Sequence, residues 1–237
     1  MRPLILCLTS ALALAVVSLP ADAQQAPGQN RAAAQAMPPA LQAAVLSGNS
    51  AAIQRAITTL SQGNPATMAS LAGQVMTAAE SMVATNPTAA AAAAASASTI
   101  AAQPAVIAAA PQSALSLVVS ANRSAITPVV QQVAPAVSAA ISGSATQVAS
   151  NPQVFQVAPT AALQVMSDAY NSVSSPAIAA AAPNAVQSVT ASLTQASANP
   201  QIATAMAESG QVITAILTKQ PLPTSVQDSI VARGTAS

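Results

Sequence analysis

PTAAAAAAASASTIAAQPAVIAAA (87–110), PQSALSLVVSANRSAITPVVQQVA (111–134), PAVSAAISGSATQVASNPQVFQVA (135–158), PTAALQVMSDAYNSVSSPAIAAAA (159–182) and PNAVQSVTASLTQASANPQIATAM (183–206) follow one another along the chain, and each opens on proline. A second proline recurs inside every stretch. The full series is Pro87, Pro104, Pro111, Pro128, Pro135, Pro152, Pro159, Pro176, Pro183 and Pro200, with gaps that alternate strictly between 17 and 7 residues. Residues 87–206 are therefore five copies of a 24-residue unit, the kind of self-similarity that marks a repeat architecture.

Other columns keep the same register. The residue before the second proline is Gln103, Thr127, Asn151, Ser175 or Asn199, four of them favoured helix N-cap types. Proline suits the position after a cap, because the amide hydrogen it lacks would have no partner in the first turn. Two residues beyond that proline stand Val106, Val130, Val154, Ile178 and Ile202. In the longer segment, Ala90, Ala114, Ser138, Ala162 and Val186 precede by three the column Ala93, Leu117, Ile141, Val165 and Val189. Four residues further on come Ala97, Ala121, Ala145, Ala169 and Leu193. Offsets of three and four trace one face of an α-helix.

Each unit is read as a long helix of about four turns followed by a short one of about two turns, at 3.6 residues per turn. The predicted fold is all-α: an α-solenoid of about five 24-residue helical repeats, with proline at each helix start and degenerate helical ends. In such a stack each repeat buries its apolar face on its neighbours. A rival geometry runs the seven-residue segment straight into the next long helix, kinked at the intervening proline. A proline inside a helix costs about 3 kcal/mol, and here that cost would recur in every copy, so the two-helix unit is the expectation. The period of 24 resembles that of the leucine-rich-variant repeat, but that family's leucines, charged positions and proline spacings are missing.

Working outward, residues 38–86 form an N-terminal helical segment of degenerate repeats. Pro39–Leu46 and Ala51–Leu60 read as two short helices. Gly63-Asn64-Pro65 then reads as a stop, a cap and a start that launch a helix toward Thr85. Residues 24–37 are expected to be a disordered lead-in. Residues 207–237 are read as a C-terminal cap and tail, with a last long helix over 207–219. At the other end, residues 1–23 have the layout of a secretory signal peptide: Arg2, an apolar run from Leu4 to Ser18, Pro20, and Ala21-Asp22-Ala23 before a cleavage point ahead of Gln24. Export to the periplasm or the exterior follows. Cys7 lies in the excised part, so no disulfide is expected.

Composition narrows function mainly by exclusion. Alanine accounts for 64 of 237 residues, charged residues for 5%, and histidine and tryptophan are absent. After cleavage the basic residues are Arg31, Arg55, Arg123, Lys219 and Arg233, and the acidic ones are Glu80, Asp168, Glu208 and Asp228. No basic stripe is available to displace counterions, so nucleic acid is not an expected partner. Without histidine there is no imidazole base or metal ligand, and without cysteine no thiolate. The acids are too scattered to pair for glycoside cleavage. No catalytic, cofactor-binding or metal residues are assigned, and no cofactor is expected. Phe155 and Tyr170, the only aromatics, are read as packing residues; Arg123 and Asp168 as a weak surface pair across neighbouring units.

The expected function is that of an exported, non-enzymatic structural or protein-interaction scaffold of the bacterial envelope. It would meet an unknown protein partner, or itself, through uncharged Ser, Thr, Gln and Asn. Two alternatives stand beside it. One is adsorption to ice, polysaccharide or mineral. The other is membrane association, disfavoured because no mature segment is apolar enough to span a bilayer and none has a cationic interfacial face.

Overall fold

In the computed structural model, which describes residues 37–209, every proline of the period sits at the first position of a helix. Three helices lead in: α1 (Pro39–Leu46), α2 (Ser50–Ser61) and α3 (Pro65–Met82). The units supply α4 (Pro87–Ala101), α5 (Pro104–Ala109), α6 (Pro111–Ala125), α7 (Pro128–Val133), α8 (Pro135–Ala149), α9 (Pro152–Val157), α10 (Pro159–Val173), α11 (Pro176–Ala181), α12 (Pro183–Ser197) and α13 (Pro200–Ser209). Long helices have 15 residues and the short ones α5, α7, α9 and α11 have 6. No strand occurs among the described residues. The readings of residues 1–23 and 24–36 lie outside them. Met37 already packs against the core.

The seven-residue segment is a separate helix, and the reason is local. A residue before proline is pushed out of the α region by the proline Cδ. At the corners Ala110, Ala134, Ala158 and Ala182, φ lies between −140° and −151° and ψ between 54° and 75°. One residue outside helical geometry is enough to turn the chain. At position 207, where the corner proline would recur, the residue is Ala, and α13 runs through it unbroken to Ser209. No break precedes residue 207 as it does the first proline of each unit; of the segment 207–219 read as a last long helix, residues 207–209 are helical as part of α13, and the remainder lies outside the described residues.

Capping follows the expected pattern only in part. Asn49, Asn64, Asn86 and Asn151 accept from backbone amides of the helices they precede, at 2.9–3.1 Å. Asn199 does the same for Gln201 at 3.0 Å. Gln103, Thr127 and Ser175 make no cap bond. The Thr127 hydroxyl turns back and donates to the Ser124 carbonyl at 2.7 Å. It satisfies the end of α6 instead of the start of α7. The α2–α3 turn matches its sequence signature: Gln62 and Gly63 take positive φ (51° and 77°), and Asn64 caps α3. Gly48 (φ 64°) turns α1 into α2 where a Cβ would lie 3.4 Å from Ala89, so glycine provides both the turn and the close approach.

Burial is not confined to adjacent units. Each long helix packs on the next: α4 on α6, α6 on α8, α8 on α10 and α10 on α12. Each also packs on the next but one: α4 on α8, α6 on α10 and α8 on α12. The long helices thus alternate between two rows, α4, α8 and α12 in one, and α3, α6 and α10 in the other. Short helices obey the same rule. The first row carries α7 and α11, which touch each other; the second carries α5 and α9, which also touch, and α13 joins them through Gln156 Nε2, which donates to Gln201 Oε1 at 3.4 Å. The structure repeats every two units.

The side chains explain the alternation. Number each unit from its first proline. Position 8 reads Ala94, Ser142, Thr190 in the first row and Val118, Met166 in the second. Position 12 reads Ser98, Thr146, Thr194 against Asn122, Tyr170, and position 5 reads Ala91, Ala139, Gln187 against Leu115, Leu163. In α4 and α8 the small residues of one row are set against bulkier ones of the other, a pattern that lapses in the last unit at the exposed Gln187, and interdigitation of large with small fills a core without voids. Ser142 Oγ donating to Asn122 Oδ1 at 3.4 Å shows positions 8 and 12 meeting across the rows. One large apolar cluster runs from Leu41 to Ile202, a small second one gathers Ala91, Val130 and Ala134, and the column Val106, Val130, Val154, Ile178, Ile202 is at most 1% exposed. α4, almost wholly Ala and Ser, lies among α1, α2, α3, α6, α7 and α8. A helix small and apolar on all sides is what such a central place requires.

Candidate functional site

Two concavities gather the residues singled out in the sequence. The larger, an open cleft of about 630 Å³, lies between α9, the start of α10 and α13; Phe155, Gln156, Pro159, Pro200, Gln201, Thr204 and Ala205 line it. Phe155 is only 4% exposed and belongs to the core, as a packing role requires. Tyr170 is likewise buried, so neither aromatic offers a free ring at the surface.

The smaller, about 150 Å³, is a groove between α6 and α10. α6 contributes Val119, Asn122 and Arg123, with Ile126 just past its end; α10 contributes Ala161, Gln164, Val165 and Asp168. Arg123 and Asp168 are the only ionised side chains in residues 87–206. They were expected to meet across neighbouring units. Both line this groove instead from units separated by an intervening one, because α6 and α10 share a row. No ion pair within 4.0 Å joins them among the described residues. Asp168 Oδ1 accepts from Gln164 Nε2 at 2.8 Å, one turn back on its own helix. Asn122 is 2% exposed, and its carbonyl takes the long Ser142 contact. Val165 is buried, Val119 half-buried, and Ile126 is 38% exposed at the rim.

The rest of the chemistry is sparse. Among the described residues no group of three or more His, Cys, Asp or Glu lies together as a metal site, and no helix is long and apolar enough to cross a membrane. Sequence reasoning missed Asn122 as a groove residue. The signal was there, since position 12 is polar in every unit: Ser98, Asn122, Thr146, Tyr170 and Thr194. A polar column among apolar ones points either to solvent or to a buried contact, and only packing tells which. Position 13 faces solvent throughout, as Thr99, Arg123, Gln147, Asn171 and Gln195. The rows divide it into Thr99, Gln147 and Gln195 on one side, and Arg123 and Asn171 on the other. Comparison with protein-family models, with curated proteins and with solved structures returned no match.

Proposed function

We propose that the protein is an exported, non-enzymatic scaffold of the bacterial envelope, docking a protein partner or a further copy of itself through its uncharged outer faces. The observation that carries this reading is the solvent-exposed position 13, which presents the uncharged Thr99, Gln147 and Gln195 along one row, while the other row carries Asn171 beside the single charge of Arg123. Amides and hydroxyls at a regular spacing form interface hydrogen bonds without the cost of stripping water from charges. The rigid rows hold those groups at fixed separations. The layout of residues 1–23 supports export. Adsorption to a flat lattice is less well served, because threonine occupies position 13 only once.

The test is photo-crosslinking in the producing cell from a probe at Gln147 and, separately, at Asn171. A scaffold yields a discrete crosslinked species from at least one face, either a dimer of the chain or one defined partner. Absence of any discrete species from both faces, with the protein found in the envelope fraction, counts against docking. Recovery of the chain in the cytoplasm with residues 1–23 intact counts against export.

A further inference from the structure

We propose that the groove between α6 and α10 binds a small zwitterion, a free amino acid with an apolar side chain. Two opposite charges in a nearly uncharged 120-residue array fall on one groove, from units that do not adjoin in sequence. The equivalent register positions of the other same-row pairs are neutral: Thr99 with Ser144 on α4 and α8, Gln147 with Ser192 on α8 and α12. The repeat thus supplies its own uncharged counterparts, and only the α6–α10 pair is charged.

The groove's chemistry selects the ligand. The Arg123 guanidinium is a planar donor suited to a carboxylate, and the nearly buried Asn122 amide lies beside it as a further donor. The Asp168 carboxylate, steadied by Gln164, is the partner for an ammonium group. Val119, Ile126 and Val165 wall the space between with apolar surface. A simple anion meets repulsion from Asp168, and a simple cation meets it from Arg123; a molecule bearing both charges satisfies the pair. The volume of about 150 Å³ lies below the roughly 300–1,000 Å³ of pockets for drug-sized ligands, and so favours a single amino acid over a peptide or sugar chain. Such a site is independent of whether the outer faces dock a partner.

The experiment is calorimetric titration of the chain (residues 24–237) with L-valine, and with N-acetylvaline and valinamide as probes that each lack one charge. L-Valine is expected to bind, and each blocked probe to bind at least about tenfold more weakly, as the loss of one charge-assisted hydrogen bond implies. Arg123→Gln and Asp168→Asn should each weaken L-valine by a similar factor. Gln147→Ala, at the matching position of the other row, should leave it unchanged. Circular dichroism establishes that each variant is folded, and should Arg123→Gln unfold, Arg123→Lys keeps the charge and should keep measurable binding. No heat or saturation with L-valine up to about 10 mM, ten times a 1 mM dissociation constant, overturns the proposal. So does binding that survives both charge variants, or valinamide or N-acetylvaline binding as tightly as valine.

Discussion

At the residue scale, the repeat offers internal comparisons that a unique sequence lacks. Position 4 is Ala90, Ala114 and Ala162 in three units and Ser138 in the third, where the Ser138 hydroxyl is buried with no hydrogen-bond partner. An orphaned buried hydroxyl costs about 1–3 kcal/mol. Ser138→Ala should therefore raise stability by up to that amount, read as a higher urea midpoint with an unchanged slope; a lower midpoint would show that the hydroxyl is satisfied. Position 11 runs the other way. Ala97, Ala121, Ala145 and Ala169 are all 0% exposed, and only in the last unit does Leu193 stand there. The interior of the stack has room for one methyl group. Ala145→Leu should destabilise by about 1–3 kcal/mol through overpacking, seen in thermal melts. An unchanged melting point would mean that the rows separate easily.

At the element scale, the corner between a short helix and the following long one rests on a single Ala-Pro step. The chain contains its own control: with Ala at 207 in place of the expected proline, α13 runs on through. Pro135→Ala should let Ala134 relax from φ −142° toward helical geometry, fusing α7 to α8. The expected reading is a shift of the Ala134 Cα resonance to a helical value, with total helicity held and thermal stability lowered as α7 leaves α4. A resonance that stays extended would mean that packing of Val130, not proline, maintains the corner. The caps tell a similar story about legibility. Asn151 and Asn199 were recognisable as caps, whereas Thr127 and Ser175 look equally good and do not act as caps. The Thr127 hydroxyl has a backbone carbonyl within reach on the preceding turn as well as amides on the next and takes the carbonyl, while the Ser175 hydroxyl is buried with no partner, so residue type alone does not choose the cap.

At the scale of the whole described region, second-neighbour packing changes what a deletion does. Removing two units, residues 135–182, leaves every remaining unit in its own row. Removing one, residues 135–158, moves Leu163, Met166 and Tyr170 into places shaped by Ala139, Ser142 and Thr146. The two-unit deletion should unfold at a temperature closer to that of the parent than the one-unit deletion does, despite losing more residues. A solenoid coupled only between adjacent repeats would show the opposite order. The same geometry is why the α6–α10 groove could not be located beforehand. Arg123 and Asp168 stood out by their charge, but a whole unit, residues 135–158, separates theirs in sequence, and only the rows bring the two units side by side.

Helix class, helix starts and the 24-residue unit were legible from residue types alone, whereas the break before each first proline was favoured over a kinked continuous helix and settled only by the backbone. These depend on local physics: proline's missing amide hydrogen, the conformation it imposes on the residue before it, and the three-to-four spacing of apolar side chains. Which helix lies against which is a question of volume matched across space. The alternation of small and large residues at positions 5, 8 and 12 carried that information in the sequence. It acquires meaning only when two rows exist for the side chains to interlock, and the groove that joins Arg123 to Asp168 exists only because the tertiary stack brings every second unit together.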